Sequence, residues 1–335
     1  MDPLRIGRIA IENRAILAPM SGVSDWPFRQ LAHRFGAGLV VSEMVASERL
    51  IAREEEARLK LEGDGLPIHA VQLAGCRAED LAEAARIAEG AGAHIIDINM
   101  GCPAKRVVGG WAGSALMRDV DHASRLIAAT VAAVDVPVTV KMRLGYDRTL
   151  MTAPELAARA EAEGAQMITV HGRTRCQRYK GHADWPALRR VREAITIPLV
   201  ANGDVTCLAD ARQILTESGA DGVMIGRAAV GAPWLVGEIG SALVGDRAPP
   251  ERPSLASLAG EHLERLCAHY GTALGLKMIR KHIAGYAAHL SFVDVAARTK
   301  ALTAESLPEA RAALVRLFAA PATPAPALMS AEMAL

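Results

Sequence analysis

The chain has 335 residues, 51% of them hydrophobic and 22% charged, with a net charge of +1. These shares exclude a disordered or fibrous chain, the length suits one large domain plus a smaller one, and nucleic-acid binding would have to come from local patches, not bulk charge. The five cysteines (Cys76, Cys102, Cys176, Cys207 and Cys267) are odd in number and include no C-x-x-C pair, which excludes a disulfide framework and the common zinc sites and fits a reducing cytoplasm.

The N-terminal stretch has no long apolar run of the kind found in signal peptides, and no apolar stretch approaches the roughly 18 residues that span a bilayer. Strands are predicted at Ala15–Ala18, Leu39–Ser42, Ile68–Gln72, His94–Asn99, Pro137–Arg143, Met167–His171, Pro198–Ala201 and Gly222–Gly226. They are continuous apolar runs, as in strands buried on both faces. With aromatics at only 4%, aliphatic side chains and Met must fill the core. Helical periodicity marks Arg77–Gly90, Asp121–Val134, Pro154–Glu163, Trp185–Ala194 and Cys207–Ser218. This alternation predicts a (β/α)8 TIM barrel, a fold of about 250 residues. The rival doubly wound sheet lacks its G-x-G-x-x-G after the first strand. The expected domains are a barrel over 1–245, a linker over 246–253 (DRAPPERP), a small helical domain over 254–318 and a flexible tail over 319–335.

Barrels place their chemistry at the C-terminal ends of the strands. In chain order those ends carry Pro19-Met20-Ser21-Gly22, Glu43-Met44, Gln72, Asn99-Met100-Gly101-Cys102-Pro103, Lys141 with Arg143, His171-Gly172-Arg173, Asn202-Gly203-Asp204 and Gly226-Arg227. The opposite ends carry mostly Gly-Ala turns (Gly36, Gly92, Gly164 and Gly219), so the polar end is the candidate site. The last two loops suit a phosphate, with glycines admitting backbone N–H groups and Arg227 adding charge, but they also read as ordinary turns. Lys141 and Gln72, set in apolar strands, read either as contacts to an electron-rich ring or as side chains reaching solvent and backbone. Cys102, in a glycine-flanked loop, reads as an exposed nucleophile or proton donor, or as an incidental thiol. His171 reads as a cofactor or substrate contact, or as a backbone partner at the strand edge.

Charge is locally uneven. Arg173, Arg175, Arg178, Lys180, Arg189, Arg190 and Arg192 face one acid, Asp184, and a second basic stretch holds Arg265, Lys277, Arg280, Lys281, Arg298 and Lys300. Tyr179, Trp185, Tyr270 and Tyr286 interleave. Both stretches suit a phosphate backbone, and both also suit a solvated helix face.

The segments LAPMSGVSDWPFR (17–29), QLAG (72–75), IDINMGCPAKRVVGGWAGSALM (96–117), VKMRLGYD (140–147), VHGRTRCQRYKGHADW (170–185), VANGDV (200–205), GVMIGRAAVGAPWL (222–235) and RKHIAGY (280–286) resemble the tRNA-dihydrouridine synthases, most closely the bacterial B-type branch. The chain departs from the family at Gly285, where a tryptophan before the tyrosine is more usual. The resemblance implies an FMN-binding barrel and a C-terminal helical domain that grips tRNA. It places Ala18, Pro19 and Met20 around the flavin, Gln72, Lys141 and His171 on its ring, ribityl or phosphate parts, and Asn202, Gly203, Asp204, Gly226 and Arg227 at its phosphate end. Cys102 becomes the catalytic acid. NADPH (or NADH) would reduce FMN, flavin N5 would deliver hydride to uracil C6, and Cys102 would protonate C5 of a D-loop uridine. Asn99, Arg143, Arg173, Arg175, Arg280 and Lys281 are the candidate RNA contacts. A cytoplasmic monomer without metal is expected. The alternatives are a flavin barrel reducing a free pyrimidine or another small molecule, a non-catalytic RNA-binding or regulatory protein, and a metal- or phosphate-dependent aldolase or isomerase, which would give Cys102 no task.

Overall fold

The computed structural model describes residues 3–245, 248 and 250–319. The expected linker thus lies partly, and the expected tail beyond Ala319 wholly, outside the described residues.

The chain opens with a hairpin that the sequence reading did not contain. β1 (Leu4–Ile6) pairs antiparallel with β2 (Ile9–Ile11). Its Leu4, Ile6 and Ile11 share an apolar cluster with Ile16, Leu39, Ala70, Ile95, Met167 and Val200, which plugs the N-terminal end of the barrel. The barrel itself consists of β3 (Ala15–Leu17), β4 (Leu39–Val40), β5 (Val45–Ala46), β6 (Ala70–Ala74), β7 (Ile95–Met100), β8 (Val138–Arg143), β9 (Met167–His171), β10 (Leu199–Asn202) and β11 (Gly222–Ile225). All pair in parallel, in the order β4-β3-β11-β10-β9-β8-β7-β6-β5. A parallel bridge from Val41 to Ala70 closes the ring.

The fold is thus the expected (β/α)8 barrel with three local corrections. The second predicted strand is split: the chain leaves the sheet at Ser42–Met44 and rejoins it as β5. β6 starts at Ala70, two residues later than predicted. Before it, Pro67 has no N–H to give a ladder, and the His69 N–H donates to the His94 ring at 3.1 Å. Helices Ala78–Gly90, Val120–Val131, Ala153–Ala162 and Leu208–Ser218 follow the predicted segments closely. The segment predicted as one helix over 185–194 is a 3-10 turn, Pro186–Leu188, leading into the short helix Arg189–Arg192. Gly36, Gly92, Gly164 and Gly219 turn the chain toward the next strand at φ of 93°, 90°, 99° and 69°, a region that favours glycine.

After the barrel, helices Leu255–Tyr270, Thr272–Ala287, Val295–Thr303 and Leu307–Phe318 surround a second apolar core. That core takes in Leu31 and Phe35 from the end of helix Trp26–Arg34 and Trp234 from the end of the barrel. Polar contacts continue the junction: Arg34 pairs with Glu261 at 2.6 Å, and Arg265 donates to Gln30 at 2.7 Å. Tyr286, expected among surface aromatics, is fully buried in this core, and its hydroxyl meets His262 Nδ1 at 3.1 Å. No helix among the described residues is long and apolar enough to cross a membrane.

Gly285 has a physical reason. A Cβ there would lie 2.3 Å from the Val230 carbonyl oxygen, and one on Gly231 would lie 2.3 Å from Gly285 C. The two backbones touch, so no side chain fits. Gly285→Ala should therefore cost about 1–3 kcal/mol through overpacking, whereas Gly260→Ala, with nothing within 4 Å of its Cβ, should gain about 0.5–1 kcal/mol of helix stability. Thermal unfolding of both variants checks this, and equal melting temperatures would contradict it.

His282 gives a pH prediction. It is fully buried with neither ring nitrogen bonded to a described residue, and burial, aided by Lys281, pushes its pKa from 6.5 down to about 3. Such a group contributes stability above pH 6.5 that is lost as pH falls. His282→Leu should therefore outperform the native chain by about 2 kcal/mol more at roughly pH 5 than at neutral pH, as read from denaturant midpoints at both pH values.

Candidate active site

Parallel strands set residues in register side by side on one face, and alternate residues along each strand repeat that face. Gln72 pairs in register with Asp97, and Asp97 with Thr139, across β6, β7 and β8. One level nearer the mouth, Asn99 is paired with Lys141. At the rim, Arg143 and Asn202 each flank His171. The site is thus a stack of polar levels inside an otherwise apolar barrel.

Every member of the lower level is hydrogen-bonded to another. Gln72 Nε2 donates to Asp97 Oδ2 at 2.7 Å, and Thr139 Oγ1 donates to Asp97 Oδ1 at 2.6 Å. Asn99 Nδ2 donates to Gln72 Oε1 at 2.7 Å, and Asn99 Oδ1 accepts the N–H groups of Gly101 and Cys102 at 3.1 and 2.9 Å. A relay therefore runs from Asp97 to the backbone of Cys102. The Cys102 carbonyl is held in turn by the N–H and hydroxyl of Ser114 at 3.1 and 2.8 Å. The sequence reading expected an exposed thiol; Cys102 is half-buried because its loop folds back on it at Gly113 and Ser114.

Lys141 donates to Asn202 Oδ1 at 3.1 Å, and Asn202 Nδ2 to the Met224 carbonyl at 2.7 Å. Burial lowers the Lys141 pKa, with Asp97 opposing it. Burial raises the Asp97 pKa against its bonds from Gln72 and Thr139. The His171 pKa is held well below its ordinary value, by burial first and then by Lys141, Arg143 and Arg173. The imidazole is therefore neutral at neutral pH, and its Nδ1 is buried with no partner among the described residues.

The rim is tied by arginines. Arg143 donates to the carbonyls of Gly101, Thr174 and Arg178 at 2.8, 2.9 and 2.8 Å, joining the Cys102 loop to the loop after β9. Arg173 grips both oxygens of Asp204 at 2.8 and 2.6 Å, and Arg227 reaches Asp204 at 3.1 Å. Burial alone would raise the Asp204 pKa, but these bonds and the Ala183 N–H hold it below the usual range. Arg143 and Arg173 are both buried. Arg175 is half-buried beside Tyr146, its guanidinium 5.1 Å from the ring.

The remaining expected residues gather at the same mouth. The Ala18 N–H donates to the Ile225 carbonyl at 2.9 Å, which brings Ala18-Pro19-Met20 beside Gly226. A Cβ on Gly226 would sit 3.6 Å from both Ala18 and Met20 Sδ. Gly203, at φ 121°, faces His171, its ideal Cβ lying 3.5 Å from the imidazole Nε2. Arg280 and Lys281 are exposed on helix Thr272–Ala287, and Lys281 reaches the Gly22 carbonyl at 3.2 Å. Asp97, Thr139 and Ser114 were missed. An acid in the apolar run IIDINM was the available signal, since carboxylates are seldom buried without partners. No cluster of His, Cys, Asp or Glu among the described residues could hold a metal ion.

Comparison with known proteins agrees with this architecture. The family described as dihydrouridine synthase matches residues 16–316. A probable tRNA-dihydrouridine synthase of Rhizobium leguminosarum bv. phaseoli is 55% identical, over 83% of this chain and 86% of that protein. The tRNA-dihydrouridine synthase B of Xanthomonas campestris pv. campestris is 46% identical, over 93% and 95%. Among solved structures, an old yellow enzyme homologue from Zymomonas mobilis shares the barrel with a TM-score of 0.51 at 15% identity, over 76% of this chain and 95% of that one.

Asn99 is the joint between the buried relay and the Cys102 loop. Asn99→Ala would leave two N–H groups and the Gln72 carbonyl oxygen without a partner, at about 1–3 kcal/mol for each group that stays buried. The expected outcome is a lower melting temperature and faster alkylation of Cys102, followed by peptide mass after iodoacetamide. An unchanged alkylation rate would mean the loop is held elsewhere.

Proposed function

This chain belongs to the dihydrouridine synthase family, and from that premise we propose that it reduces the C5=C6 bond of one uridine in the D-loop of tRNA, with FMN as resident cofactor and NADPH as reductant, in the cytoplasm. The chain is an oxidoreductase of the tRNA-dihydrouridine synthase type.

The residues at the mouth fit a flavin nucleotide. His171 Nδ1, buried and without a partner among the described residues, offers a polar atom for a ligand to satisfy. Ala18, Pro19 and Met20 would pack against the ring system, and Gln72 and Lys141 would bond its edge. A half-buried ammonium there stabilises negative charge. His171 would contact the ribityl or phosphate part. Asn202, Gly203, Asp204, Gly226 and Arg227 would hold the phosphate. A carboxylate beside a phosphate repels it, so Asp204 serves through its backbone, its charge being taken by Arg173. FMN, once reduced, supplies the two electrons that saturate the uracil double bond.

The protein's own step is a proton transfer. Cys102 gives its thiol proton to uracil C5 as negative charge builds there, and the thiolate is reprotonated from solvent before the next turnover. Asn99, at the end of the relay, aims the loop for that transfer. The base must leave the RNA stack to reach this depth. Arg175, Arg280 and Lys281 would contact the phosphate backbone, while Arg143 and Arg173 serve the RNA by holding the loops that face it. The four C-terminal helices act as the tRNA-gripping domain.

The observation that carries this reading is a cysteine backbone fixed by a buried relay beside Lys141 and His171. Cys102→Ala is expected to keep its bound yellow FMN while losing about 10²- to 10⁴-fold in dihydrouridine formation on unmodified tRNA. A colourless protein that cannot be reconstituted, or a variant as active as the native enzyme, would sink the mechanism.

A further inference from the structure

The loop that carries Cys102 ends on an aromatic ring that is mostly exposed. A Cβ on Gly113 would lie 2.8 Å from the Cys102 carbonyl oxygen, and Ser114 bonds that same oxygen. Residues 103–112 are therefore a closed excursion from the catalytic position, and Trp111 stands at its return. Its indole is 60% exposed, and its backbone is held at φ 56°, a region bulky residues rarely adopt. A chain that places a large apolar ring in solvent on a strained backbone has not placed it for stability.

The surroundings favour an anion that carries flat rings. The Arg118 guanidinium lies 5.7 Å from the Trp111 ring and 5.0 Å from Tyr146. Lys105 and Arg106 are exposed on the same loop. Of the nearby acids, Asp121 and Glu155 both pair with Arg159, and Asp119 caps the next helix through the His122 N–H at 2.9 Å. Lys105, Arg106 and Arg118, by contrast, form no ion pair with any described residue, so three cations on or beside the loop are open to a phosphate. Nucleobases offer π-faces on a phosphate chain, and a cationic surface with exposed aromatics binds such chains by stacking without reading sequence.

We propose that Trp111 is a stacking platform for a nucleobase that flanks the uridine being reduced. The inference rests on tRNA being the substrate. When the target uridine leaves the stack, its neighbour loses a stacking partner, and Trp111 replaces that partner while Arg118 meets the adjoining phosphate. Because Trp111 and Cys102 share one closed loop, engaging the flanking base also settles the thiol over the target.

The test uses the full-length FMN-loaded enzyme, titrated with unmodified tRNA while tryptophan emission is followed in the native protein, Trp111→Phe and Trp111→Ala. Stacking predicts quenching in the native protein that is lost in Trp111→Phe. It also predicts a KM for tRNA raised about 5- to 150-fold in Trp111→Ala, the range of a lost base–aromatic stack, with partial rescue by phenylalanine and a smaller effect on kcat. Native-like affinity in Trp111→Ala with quenching retained in Trp111→Phe overturns the proposal. So does a changed rate of Cys102 alkylation at unchanged tRNA affinity, which would make Trp111 a prop for the loop. A native enzyme that neither binds nor reduces tRNA overturns the wider reading as well, whereas an active native enzyme indifferent to Trp111 overturns this inference alone.

Discussion

A line of polar side chains through an apolar barrel is the constraint on which the rest of the site depends. Thr139, Asp97, Gln72 and Asn99 are all buried, and each is hydrogen-bonded to the next. In low dielectric such a chain is stable only when complete, because any member left unpaired costs about 1–3 kcal/mol. It forms because three neighbouring parallel strands bring Gln72, Asp97 and Thr139 into register. Its last acceptor, Asn99 Oδ1, is spent on the Gly101 and Cys102 N–H groups. The position of one backbone segment at the mouth is thus set by a carboxylate deep in the barrel.

The rim follows another logic, in which charge is used to close loops. Arg143 bonds three carbonyls from two different loops, and Arg173 with Asp204 locks a third. The guanidinium suits this work because its planar fork serves several acceptors at once. Between these struts, Lys141 keeps one hydrogen bond to Asn202, and His171 Nδ1 has none among the described residues. The arrangement concentrates satisfied groups in the walls and under-satisfied ones where a ligand would sit.

Much of this was legible in the chain, and the exceptions have physical causes. β9 was predicted at its observed bounds because the apolar run Met167–His171 stands between glycine turns at Gly164 and Gly172. The hairpin β1–β2 and strand β5 were invisible, since two or three residues cannot show periodicity. The basic residues around the mouth were found by type and place. Which way Arg143 and Arg173 turn was not, because their partners come from loops whose approach only the closed fold decides. Tyr286 read as a surface aromatic and is core, as its helix packs that face against His262 and Phe318. Asp97 went unremarked although its setting, an acid inside IIDINM, was the sign to read.

The contact between Gly231 and Gly285 bears on how the two halves of the molecule work together. Backbone rests on backbone there, and the helical core shares Leu31, Phe35 and Trp234 with the barrel side. Around that contact the side chains of both parts interlock in one apolar core, so shifting one part against the other would open packed surface to water. If the helices grip tRNA as proposed, grip and mouth form a caliper with fixed jaws. Such a tool selects by span: the base that is modified is the one whose distance from the gripped surface matches the opening, whatever letters lie on either side.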